Sequence, residues 1–404
     1  MNVLLIHPNY PGQFKLLAKE LSTRENCHVV GIGRGDRTPA VTGGVSYHAY
    51  YHPTGPSEAI FPAAQSIDEH VRRGRTVADI ASSLKDRGFR PDIVVAHPGW
   101  GDALFIPEVF PGARFIAYLE YFYTTRDSDI DFDPEFPVPT SDLRYVPLRN
   151  STNLLAFAAA AQSITPTPWQ ASLFPAPIRQ QLQVLHEGID TQAVTPDDGA
   201  TFRLDNGRVL TRADEVITYV SRSLEPYRGF HVFMRTLPEL LRRRSQAQVL
   251  IVGREGVSYG RVPASGRSWK AQMLDEVGSD LDLSRVHFLG NLGYTDYLDV
   301  LRVSSAHVYL TYPFVLSWSF LEAMACGCTM VGSATGPVLD VLEDGHNGRT
   351  VGFFDQRALV DTVCELLDDP EQRARLARNA RATVVERYDF RTRTFPQYLD
   401  LLKG

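Results

Sequence analysis

The stretch Tyr312–Ser333, YPFVLSWSFLEAMACGCTMVGS, contains the features that decide the fold. Its pattern predicts a tight turn, a short helix led by Ser317–Glu322, a Cys/Gly corner and then a buried strand. A turn into a helix exposes backbone N–H groups, and the helix dipole adds positive charge at the same place. A diphosphate can bind there, while the carboxylate of Glu322 accepts hydrogen bonds from a ribose diol. The stretch therefore predicts a nucleotide site in an α/β fold.

Short apolar runs alternate with helical patterns along the chain, and the alternation occurs twice. Val3–Ile6 is a continuous apolar run, as in strands buried on both faces, and the series that it begins predicts a helix over Thr76–Leu84. A polar, turn-rich segment over Asp197–Asp214 then predicts a linker with a surface hairpin. The second series begins with a strand over Val216–Val220 and a helix over Phe230–Leu241. The sequence therefore predicts an α/β protein with two doubly wound, Rossmann-like domains, whose ligands bind at the carboxyl ends of the strands.

The composition argues against several classes of protein. With 44% hydrophobic and 22% charged residues the chain is typical of soluble globular proteins, and a net charge of −6 argues against a general nucleic-acid binder. The longest apolar run, Leu154–Ala161, is far shorter than the ~18–20 residues of a membrane span, and the N-terminus lacks the basic region of a signal peptide. The cysteines are too few and too scattered for a disulfide framework or a zinc site. We therefore expect a cytoplasmic protein with reduced thiols at Cys27, Cys326, Cys328 and Cys364.

The segment Glu322–Gly327, EAMACG, resembles the second half of the signature of family 4 glycosyltransferases. That signature is a glutamate, seven further residues, a second glutamate and then Ala-Met-Ala-x-Gly. Phe314 occupies the position of the first glutamate, so this chain departs from the pattern there. The run His97–Asp102, HPGWGD, looks like the N-terminal half of one subgroup of the family.

This resemblance covers nearly the whole chain and implies the GT-B fold, in which two Rossmann-like domains face each other across a cleft. It implies an acceptor-side domain over residues 1–190 and a donor-side domain over residues 191–385. Residues 386–404 are then expected to cross back to the N-terminal domain. The resemblance also implies a nucleotide-diphosphate sugar as donor, with no cofactor and no obligatory metal.

The segment Val220–Gly229, VSRSLEPYRG, follows a predicted strand and precedes a predicted helix. It is similar to the family's Gly-Arg…Lys-Gly element, whose two cations bind the donor diphosphate. Arg222 and Arg228 are the matching residues, and an arginine at position 228 keeps the charge of the usual lysine while adding a bidentate fork. Their six-residue spacing leaves the register of this element open by one residue.

The resemblance assigns further donor contacts to residues at turns, after predicted strands and at the start of the predicted helix. Glu322 is expected to hold the ribose, and the backbone N–H groups of Ser317 and Trp318 to approach phosphate or the donor sugar. These donor-binding residues are Gly12, Ser317, Trp318, Glu322, Gly253 and Gly290.

Phe314 belongs to the same donor set but cannot accept a hydrogen bond from a sugar hydroxyl. Backbone groups or another carboxylate could recognise the sugar instead. The donor could carry a deoxy or otherwise modified sugar, or the protein could bind a nucleotide-sugar without turnover. We favour the first interpretation because the rest of the site is intact.

Residues after two strands of the N-terminal half are candidates for sugar and acceptor binding. His97 matches the position where family members offer a histidine to the transferred sugar, although a purely structural histidine fits the sequence too. Glu120 follows a strand over Phe115–Leu119 and could contact the acceptor, replace the missing glutamate or pair with a nearby arginine. Trp100 and Tyr121 suggest an aromatic platform for a sugar ring or an apolar aglycone.

Two other stretches resemble a serine hydrolase motif and a calcium-binding loop, but each lacks a feature that the motif needs. Gly256–Gly260, GVSYG, fits the nucleophile elbow of serine hydrolases, but the residues that follow indicate a loop rather than the required helix. The aspartates of Asp127–Asp133 alternate as in a calcium loop, but the central glycine and the distal glutamate are missing. An acidic acceptor-facing loop or a capping turn fits this run better than a metal site.

The resemblance implies a retaining transferase that moves a hexosyl unit from a nucleotide-diphosphate sugar to a hydroxyl group. Arg222 and Arg228 would stabilise the departing diphosphate, and His97 would orient the donor sugar. The acceptor is a small molecule, a glycan or a lipid, with weak membrane-surface contact left open. Two alternatives remain, namely a nucleotide-sugar epimerase of the same fold and a non-catalytic nucleotide-sugar binding protein.

Overall fold

The structure is a computed structural model that describes residues 1–36, 44–51 and 60–404. The chain forms two compact units. The N-terminal unit comprises residues 1–188 and 390–404, and the C-terminal unit comprises residues 189–389. The boundary expected at residue 386 falls inside the helix Pro370–Tyr388, so the chain changes unit a few residues later.

The N-terminal unit is built on a seven-stranded parallel sheet whose central strands are apolar and buried. The strands of the sheet are β1 Asn2–Ile6, β2 His28–Arg34, β3 Val45–Tyr50, β4 Ile93–Ala96, β5 Arg114–Tyr118, β6 Gln162–Thr165 and β7 Leu182–Val184. Their order is β3-β2-β1-β4-β5-β6-β7, with Leu4 of β1 aligned with Val30 on one side and Val94 on the other. The strand order reverses between β1 and β4, and ligands of open α/β sheets bind at the carboxyl ends of the strands at such a point.

Helices and loops cover the N-terminal sheet, and β1, β4 and β5 are buried along most of their length. The helices of this unit are Lys15–Ser22, Gln65–Asp86, Ile106–Val109, Thr140–Leu143, Ser151–Ala159, Pro168–Ser172, Ala176–Arg179 and Phe395–Lys403. The last of these packs Tyr398 and Leu402 into the same hydrophobic cluster as Val3 and Leu5. The end of the chain is therefore part of the N-terminal core.

The helix Gln65–Asp86 begins eleven residues before the predicted start at Thr76. A basic run with a glycine, Arg72–Arg75, lies inside it rather than at its end. The glycine, Gly74, packs against the backbone of the loop after β4, because a Cβ atom there would lie 2.6 Å from the carbonyl oxygen of Gly101. A close helix–loop contact explains this glycine better than a helix boundary does.

The C-terminal unit repeats the same architecture after a hairpin. The hairpin strands are β8 Thr201–Arg203 and β9 Val209–Thr211, as predicted for the polar segment. The sheet strands are β10 Val216–Ser223, β11 Gln248–Arg254, β12 Val286–Gly290, β13 Ala306–Tyr309, β14 Met330–Ser333 and β15 Arg349–Val351. Their parallel order is β12-β11-β10-β13-β14-β15, which reverses between β10 and β13. The prediction of two Rossmann-like domains is confirmed.

The helices of the C-terminal unit pack their apolar faces on this sheet. They are Phe230–Arg243, Trp269–Val277, Tyr294–Arg302, Trp318–Ala325, Gly336–Leu339, Gln356–Asp368 and Pro370–Tyr388. Helix Trp318–Ala325 begins at the N-cap Ser317, whose hydroxyl accepts a hydrogen bond from the Ser319 N–H group. Glu322 therefore lies one turn inside this helix.

The residues that the structure describes include no helix long and apolar enough to cross a membrane. The cysteines are free thiols, and Cys326, Cys328 and Cys364 are buried.

Candidate functional site

Glu322 is held by two tyrosines of a neighbouring helix. Its carboxylate oxygens accept hydrogen bonds from the hydroxyl groups of Tyr294 and Tyr297, each at 2.7 Å. Burial and, next, the charge of Glu322 raise the pKa of both tyrosines, so their hydroxyl groups remain protonated donors. Each carboxylate oxygen has a further lone pair, and Glu322 is only partly buried. The carboxylate can therefore accept two more hydrogen bonds, as a ribose diol requires.

Arg228 is a buried cation at the carboxyl edge of the C-terminal sheet, in the loop between β10 and the next helix. Its Nη1 atom lies 3.0 Å from the Tyr309 hydroxyl group, 2.7 Å from the Thr311 hydroxyl group and 3.0 Å from the Val315 carbonyl oxygen. These partners are neutral, and within the described ranges no carboxylate forms an ion pair with this guanidinium. The charge of Glu225 acts on this guanidinium without a direct ion pair, so an anion bound beside Arg228 would still be favoured.

Arg222 differs from Arg228 in its surroundings. Its side chain is exposed, and it makes no hydrogen bond or ion pair with any part of the chain that the structure describes. The next residue, Ser223, ends β10 and is fully buried. Of the two arginines expected to act as a pair, Arg228 is therefore buried and Arg222 is exposed to solvent.

A third arginine, which the sequence analysis missed, lies beside Ser223. Arg254 ends β11, and its Nε atom donates to the Ser223 hydroxyl oxygen at 3.1 Å. Its Nη2 atom lies 3.2 Å from the hydroxyl oxygen of Ser258. The GVSYG motif that contains Ser258 is a loop, as predicted, and Glu225 holds this loop by accepting backbone N–H bonds from Ser258 and Gly260 at 3.0 and 2.8 Å. A serine hydrolase elbow is therefore ruled out at this motif.

Phe314 lies in a cluster of aromatic rings. Its ring centroid is 5.0 Å from that of Tyr259 and 5.7 Å from that of Tyr227, and its side chain is 8% exposed. The position where the family signature has a glutamate is therefore apolar and well packed. The recognition of the sugar by backbone groups or another carboxylate in place of the glutamate remains a prediction.

Ser317 and Trp318 start the helix that carries Glu322. The Ser317 N–H group donates to the hydroxyl oxygen of Tyr309 at 2.9 Å, so the same hydroxyl group joins this helix start to Arg228. The Trp318 side chain is 39% exposed. The proposed approach of these backbone groups to a phosphate remains a prediction.

The glycines predicted to bind the donor differ in how tightly the surrounding atoms pack against them. A Cβ atom at Gly253 would lie 2.9 Å from the carbonyl oxygen of Ser221, so this glycine lets the ends of β10 and β11 lie close together. Gly290 has a φ of 63° and open space around it. In the N-terminal unit, Gly12 has a φ of 49°, and a Cβ atom there would lie 2.4 Å from the His7 ring. The packing of this turn on His7 is therefore enough to require a glycine at position 12, whether or not a phosphate binds there.

The carboxyl ends of β1, β4 and β5 bring together a histidine, a glutamate and a glutamine. The Gly99 N–H group donates to His97 Nδ1 at 3.2 Å, so the ring carries its proton on Nε2, which lies 3.2 Å from Glu120 Oε2. Gln13 Nε2 donates to the other oxygen of Glu120 at 2.5 Å. His97 is buried, whereas the Glu120 side chain is 21% exposed. Both nitrogens of His97 are used within the protein, and Glu120 is the member of this cluster that can meet a substrate.

The two residues of the predicted aromatic platform, Trp100 and Tyr121, differ in their exposure to solvent. Trp100 is partly exposed, and its ring lies 4.5 Å from the His97 ring. Tyr121 is 5% exposed and donates its hydroxyl hydrogen to Asp129 at 2.7 Å. The aspartate run forms turns, since the side chain of Asp133 accepts a hydrogen bond from the Glu135 N–H group, two residues later, at 2.9 Å. Trp100 therefore presents a surface, while Tyr121 supports the loop.

Asp102, at the end of the HPGWGD run, anchors the loop that carries His97. It is completely buried, accepts a hydrogen bond from the Tyr50 hydroxyl group and lies 4.0 Å from Arg73. Burial raises the pKa of Asp102 to about 6, against the opposing hydrogen bond from Tyr50 and the charge of Arg73. Three parts of the N-terminal unit, namely β3, helix Gln65–Asp86 and this loop, meet at one carboxyl group.

The raised pKa of Asp102 predicts a pH effect on stability. Between about pH 4 and about pH 6 the unfolded chain loses this proton while the folded protein keeps it, so the contribution of Asp102 to stability falls as the pH rises. A pKa difference of this size corresponds to about 3 kcal/mol of unfolding free energy. The variant Asp102→Asn cannot titrate there. In urea unfolding, the wild type should therefore lose more stability than this variant between about pH 4 and about pH 7. Parallel pH profiles for the two proteins would contradict this role for Asp102.

Two family comparisons match successive parts of the chain. The family described as glycosyl transferase family 4 group matches residues 25–194, and the family described as glycosyl transferases group 1 matches residues 205–383. Together these regions include most of the chain and correspond to the two compact units.

Similar curated proteins are glycosyltransferases of bacteria. The D-inositol 3-phosphate glycosyltransferase of Frankia alni is 28% identical over 205 residues, which cover 50% of this chain and 48% of that protein. A GDP-mannose-dependent alpha-(1-6)-phosphatidylinositol monomannoside mannosyltransferase of Mycolicibacterium smegmatis is 25% identical over 236 residues, covering 55% of this chain and 56% of that protein. The chain thus spans about half the length of the curated relatives it matches.

Solved structures with the same fold match the whole chain. Sucrose-phosphate synthase of Thermosynechococcus elongatus has a TM-score of 0.72 at 16% identity and covers 100% of this chain and 99% of that one. HepE of Anabaena, in complex with UDP and glucose, has a TM-score of 0.67 at 17% identity and covers 100% of both chains. These likenesses confirm the GT-B fold. The two family matches, which together include most of the chain, and the similarity to the relatives show that it belongs to the family 4-like glycosyltransferases of the GT-B fold.

Proposed function

We propose that this protein transfers a hexosyl unit from a nucleotide-diphosphate sugar to an acceptor hydroxyl group, with retention at the anomeric carbon. The observation that carries the proposal is Arg228, a buried guanidinium with neutral partners at the switch point of the C-terminal sheet. Glu322, which two tyrosine hydroxyl groups hold in the same unit, supplies the ribose contact. A fixed cation and a diol-binding carboxylate are what a nucleotide-diphosphate donor requires.

The transfer step needs no covalent bond to the protein. The oxygen of the acceptor hydroxyl group forms a bond to the anomeric carbon, while the bond from that carbon to the diphosphate oxygen breaks on the same face of the sugar. The leaving diphosphate takes the bonding electron pair and the acceptor proton. Arg228 stabilises the negative charge that develops on it, so no metal is required in this proposal.

The activities for which the relatives are named support this donor class. One relative is GDP-mannose-dependent, and HepE was solved with UDP and with glucose. Inositol phosphate and phosphatidylinositol mannoside acceptors in the relatives' names fit a hydroxyl-bearing glycan or lipid acceptor here. We propose a cytoplasmic site of action, which agrees with the free cysteine thiols.

In the N-terminal unit, we propose that Glu120 accepts a hydrogen bond from the acceptor hydroxyl group. His97 and Gln13 each donate to one oxygen of its carboxylate and fix its orientation. This differs from the role expected for His97 itself, whose ring nitrogens are both engaged within the protein. His97 then acts as a positioning residue.

The variant Glu120→Gln tests this assignment. Loss of a charged hydrogen-bond acceptor should lower kcat/KM for the acceptor by roughly 10–100-fold while leaving nucleotide affinity near that of the wild type. His97→Ala should cause part of this loss, and His97→Gln, which can still donate to Glu120, should restore much of it. Steady-state kinetics at saturating donor would measure these values. Normal acceptor kinetics with weakened donor binding would instead place Glu120 on the donor side.

Product analysis tests the proposed reaction as a whole. The protein would be incubated with a nucleotide-sugar that binds and with inositol-phosphate, glycan and lipid acceptors, and NMR would follow the anomeric protons. We expect free nucleoside diphosphate together with a glycosylated acceptor of the same anomeric configuration as the donor. A new donor sugar without acceptor would indicate an epimerase. Binding without any conversion would indicate a nucleotide-sugar binding protein.

A further inference from the structure

We propose that the N-terminal unit docks on an anionic lipid bilayer through one exposed apolar surface with arginines beside it. The surface lies on the outer side of three helices that cover one face of the N-terminal sheet. The proposal goes beyond the transfer reaction and does not depend on it, because lipid binding needs neither the donor nor the acceptor.

Large apolar side chains that reach solvent are concentrated in one region of the N-terminal unit. Most of them lie in three neighbouring helices or shortly before them, and among the described residues of this unit only Met1, Tyr51 and Val184 lie elsewhere. The most exposed of the group are Phe61 at 64% and Leu155 at 60%. The group, which we call the apolar surface, consists of Phe61, Val71, Phe105, Leu148, Leu154 and Leu155.

Contacts between neighbouring segments make the apolar surface continuous. The ring centroid of Phe61 lies 6.2 Å from that of Tyr145, shortly before the first exposed leucine. A Cβ atom at Gly74, in the helix that begins after Phe61, would lie 3.4 Å from the Phe105 ring. The helix that follows Phe105 lines an apolar pocket together with Leu155. A contiguous exposed patch of this kind marks an interaction surface, whereas scattered apolar residues do not.

The three helices cover the same face of the sheet, so their outer sides point away from it together. Val77, Ile106 and Ala156, one from each helix, share a hydrophobic cluster with Leu4 and Ile6 of β1. The helix that carries Ala156 contains no charged residue at all. Surface helices normally have charged or polar residues on their outer side. The outer side of this helix is therefore suited to an apolar environment.

The charge beside the exposed leucines is positive. Residues 143–186, which contribute all three leucines of the apolar surface, contain three arginines and no aspartate or glutamate. Two of these arginines, Arg144 and Arg149, are exposed, and within the described ranges neither forms an ion pair. The other two helices together carry both signs of charge. In a chain of net charge −6, this stretch is therefore locally cationic.

An anionic bilayer fits these properties better than a second copy of the chain does. Leucine and phenylalanine side chains insert into the interfacial region of a bilayer, and arginines beside them attract anionic headgroups. A second copy would bring like charges together. A stable protein interface also needs about 20–30 residues a side, far more than the apolar surface provides. The chemistry of the surface therefore favours lipid.

Flotation with vesicles tests the proposal on the full chain without any substrate. The wild type should float with vesicles of phosphatidylcholine and phosphatidylglycerol at low salt. It should float much less with phosphatidylcholine alone, or at high salt, which screens the arginines. The double variant Leu154→Ser, Leu155→Ser should lower the partition coefficient by roughly 10–100-fold. Leu283→Ser is the matched control, because Leu283 is 52% exposed in the C-terminal unit and should not change binding.

A charge variant gives a second, independent readout. Arg144→Gln combined with Arg149→Gln should weaken binding to the anionic vesicles by roughly 25-fold, at about fivefold per arginine. Arg357→Gln is its control, because Arg357 is 93% exposed on a helix of the C-terminal unit. Circular dichroism would verify that the variants are folded, as we expect for substitutions at exposed positions.

Several results would overturn the proposal. Absence of flotation with anionic vesicles, equal flotation of the wild type and both patch variants, or equal flotation with anionic and neutral vesicles would each do so. A dimer in sedimentation velocity that the leucine variant loses, without any vesicle binding, would assign the surface to a second copy instead. Each of these results is distinct from a failure of the proposed transfer, which is measured with its own substrates.

Discussion

Replacing Arg228 with alanine should lower turnover by roughly 10²–10³-fold, the usual effect of removing one group that stabilises transition-state charge. The leaving diphosphate gains negative charge as its bond to the sugar breaks, and Arg228 is the buried cation best placed to offset it. Because this charge develops in the transition state, the effect should appear mainly in kcat. Initial rates of nucleoside diphosphate release with saturating donor and acceptor would measure it.

The alanine variant also removes structural contacts, so it needs a control. Arg228 Nη1 is close to the oxygens of Tyr309, Thr311 and Val315, and their loss alone could disturb the edge of the sheet. Arg228→Lys retains the charge without the planar fork, and it should recover a large part of the turnover. Thermal unfolding would show whether both variants fold, and Arg228→Ala should unfold at a lower temperature than the wild type because its buried partners lose a donor. Turnover within a few-fold of the wild type in a folded Arg228→Ala protein would contradict the role of this residue.

Replacing Glu322 with alanine should weaken nucleotide binding by roughly 10–100-fold while leaving the chemical step less affected. The ribose hydroxyl groups are present in the ground state and in the transition state alike, so losing their acceptor is a loss of uniform binding. Isothermal titration of the nucleoside diphosphate would give the change in affinity directly.

Tyr294 and Tyr297 allow a sharper version of this experiment. Both donate to Glu322 at 2.7 Å, so the double variant Tyr294→Phe, Tyr297→Phe keeps the carboxylate but removes what orients it. We expect a smaller loss of affinity than in Glu322→Ala. A 2′-deoxy nucleotide should lose affinity with the wild type but not with Glu322→Ala, since the acceptor of its missing hydroxyl group is already absent. Equal sensitivity of both proteins to the 2′-hydroxyl group would show that Glu322 does not contact the ribose.

The sequence was sufficient where a feature depends on local pattern. The apolar run Val3–Ile6 became a buried strand, and the EAMACG segment became a helix end with Glu322 one turn inside it. The edge strand β3 was not predicted, because most of its residues are only partly buried or exposed and they form no continuous apolar run. Helix Gln65–Asp86 was predicted too short, since the prediction began at Thr76, after the basic run whose Gly74 packs on a loop distant in the sequence.

The sequence was insufficient where the site depends on contacts between distant residues. Arg254 is 31 positions from Ser223, and only the pairing of β10 with β11 brings them together. Tyr294 and Tyr297 have helical spacing and so share a helix face, but their partner Glu322 lies on another helix. The contact between His97 Nε2 and Glu120 likewise follows from β5 lying beside β4. Topology, rather than motif, decides these roles.

A thermal-shift panel of UDP, GDP, dTDP, ADP and their common sugar conjugates tests the central claim most directly. A ligand at about 100 times its dissociation constant stabilises the protein by about 2.7 kcal/mol, which is readily detected. We predict that one nucleotide and its sugar conjugate stabilise the wild type, and that Glu322→Ala and Arg228→Lys reduce this stabilisation. Absence of stabilisation by any nucleotide, or equal stabilisation of the wild type and both variants, would contradict a donor site built on Arg228 and Glu322.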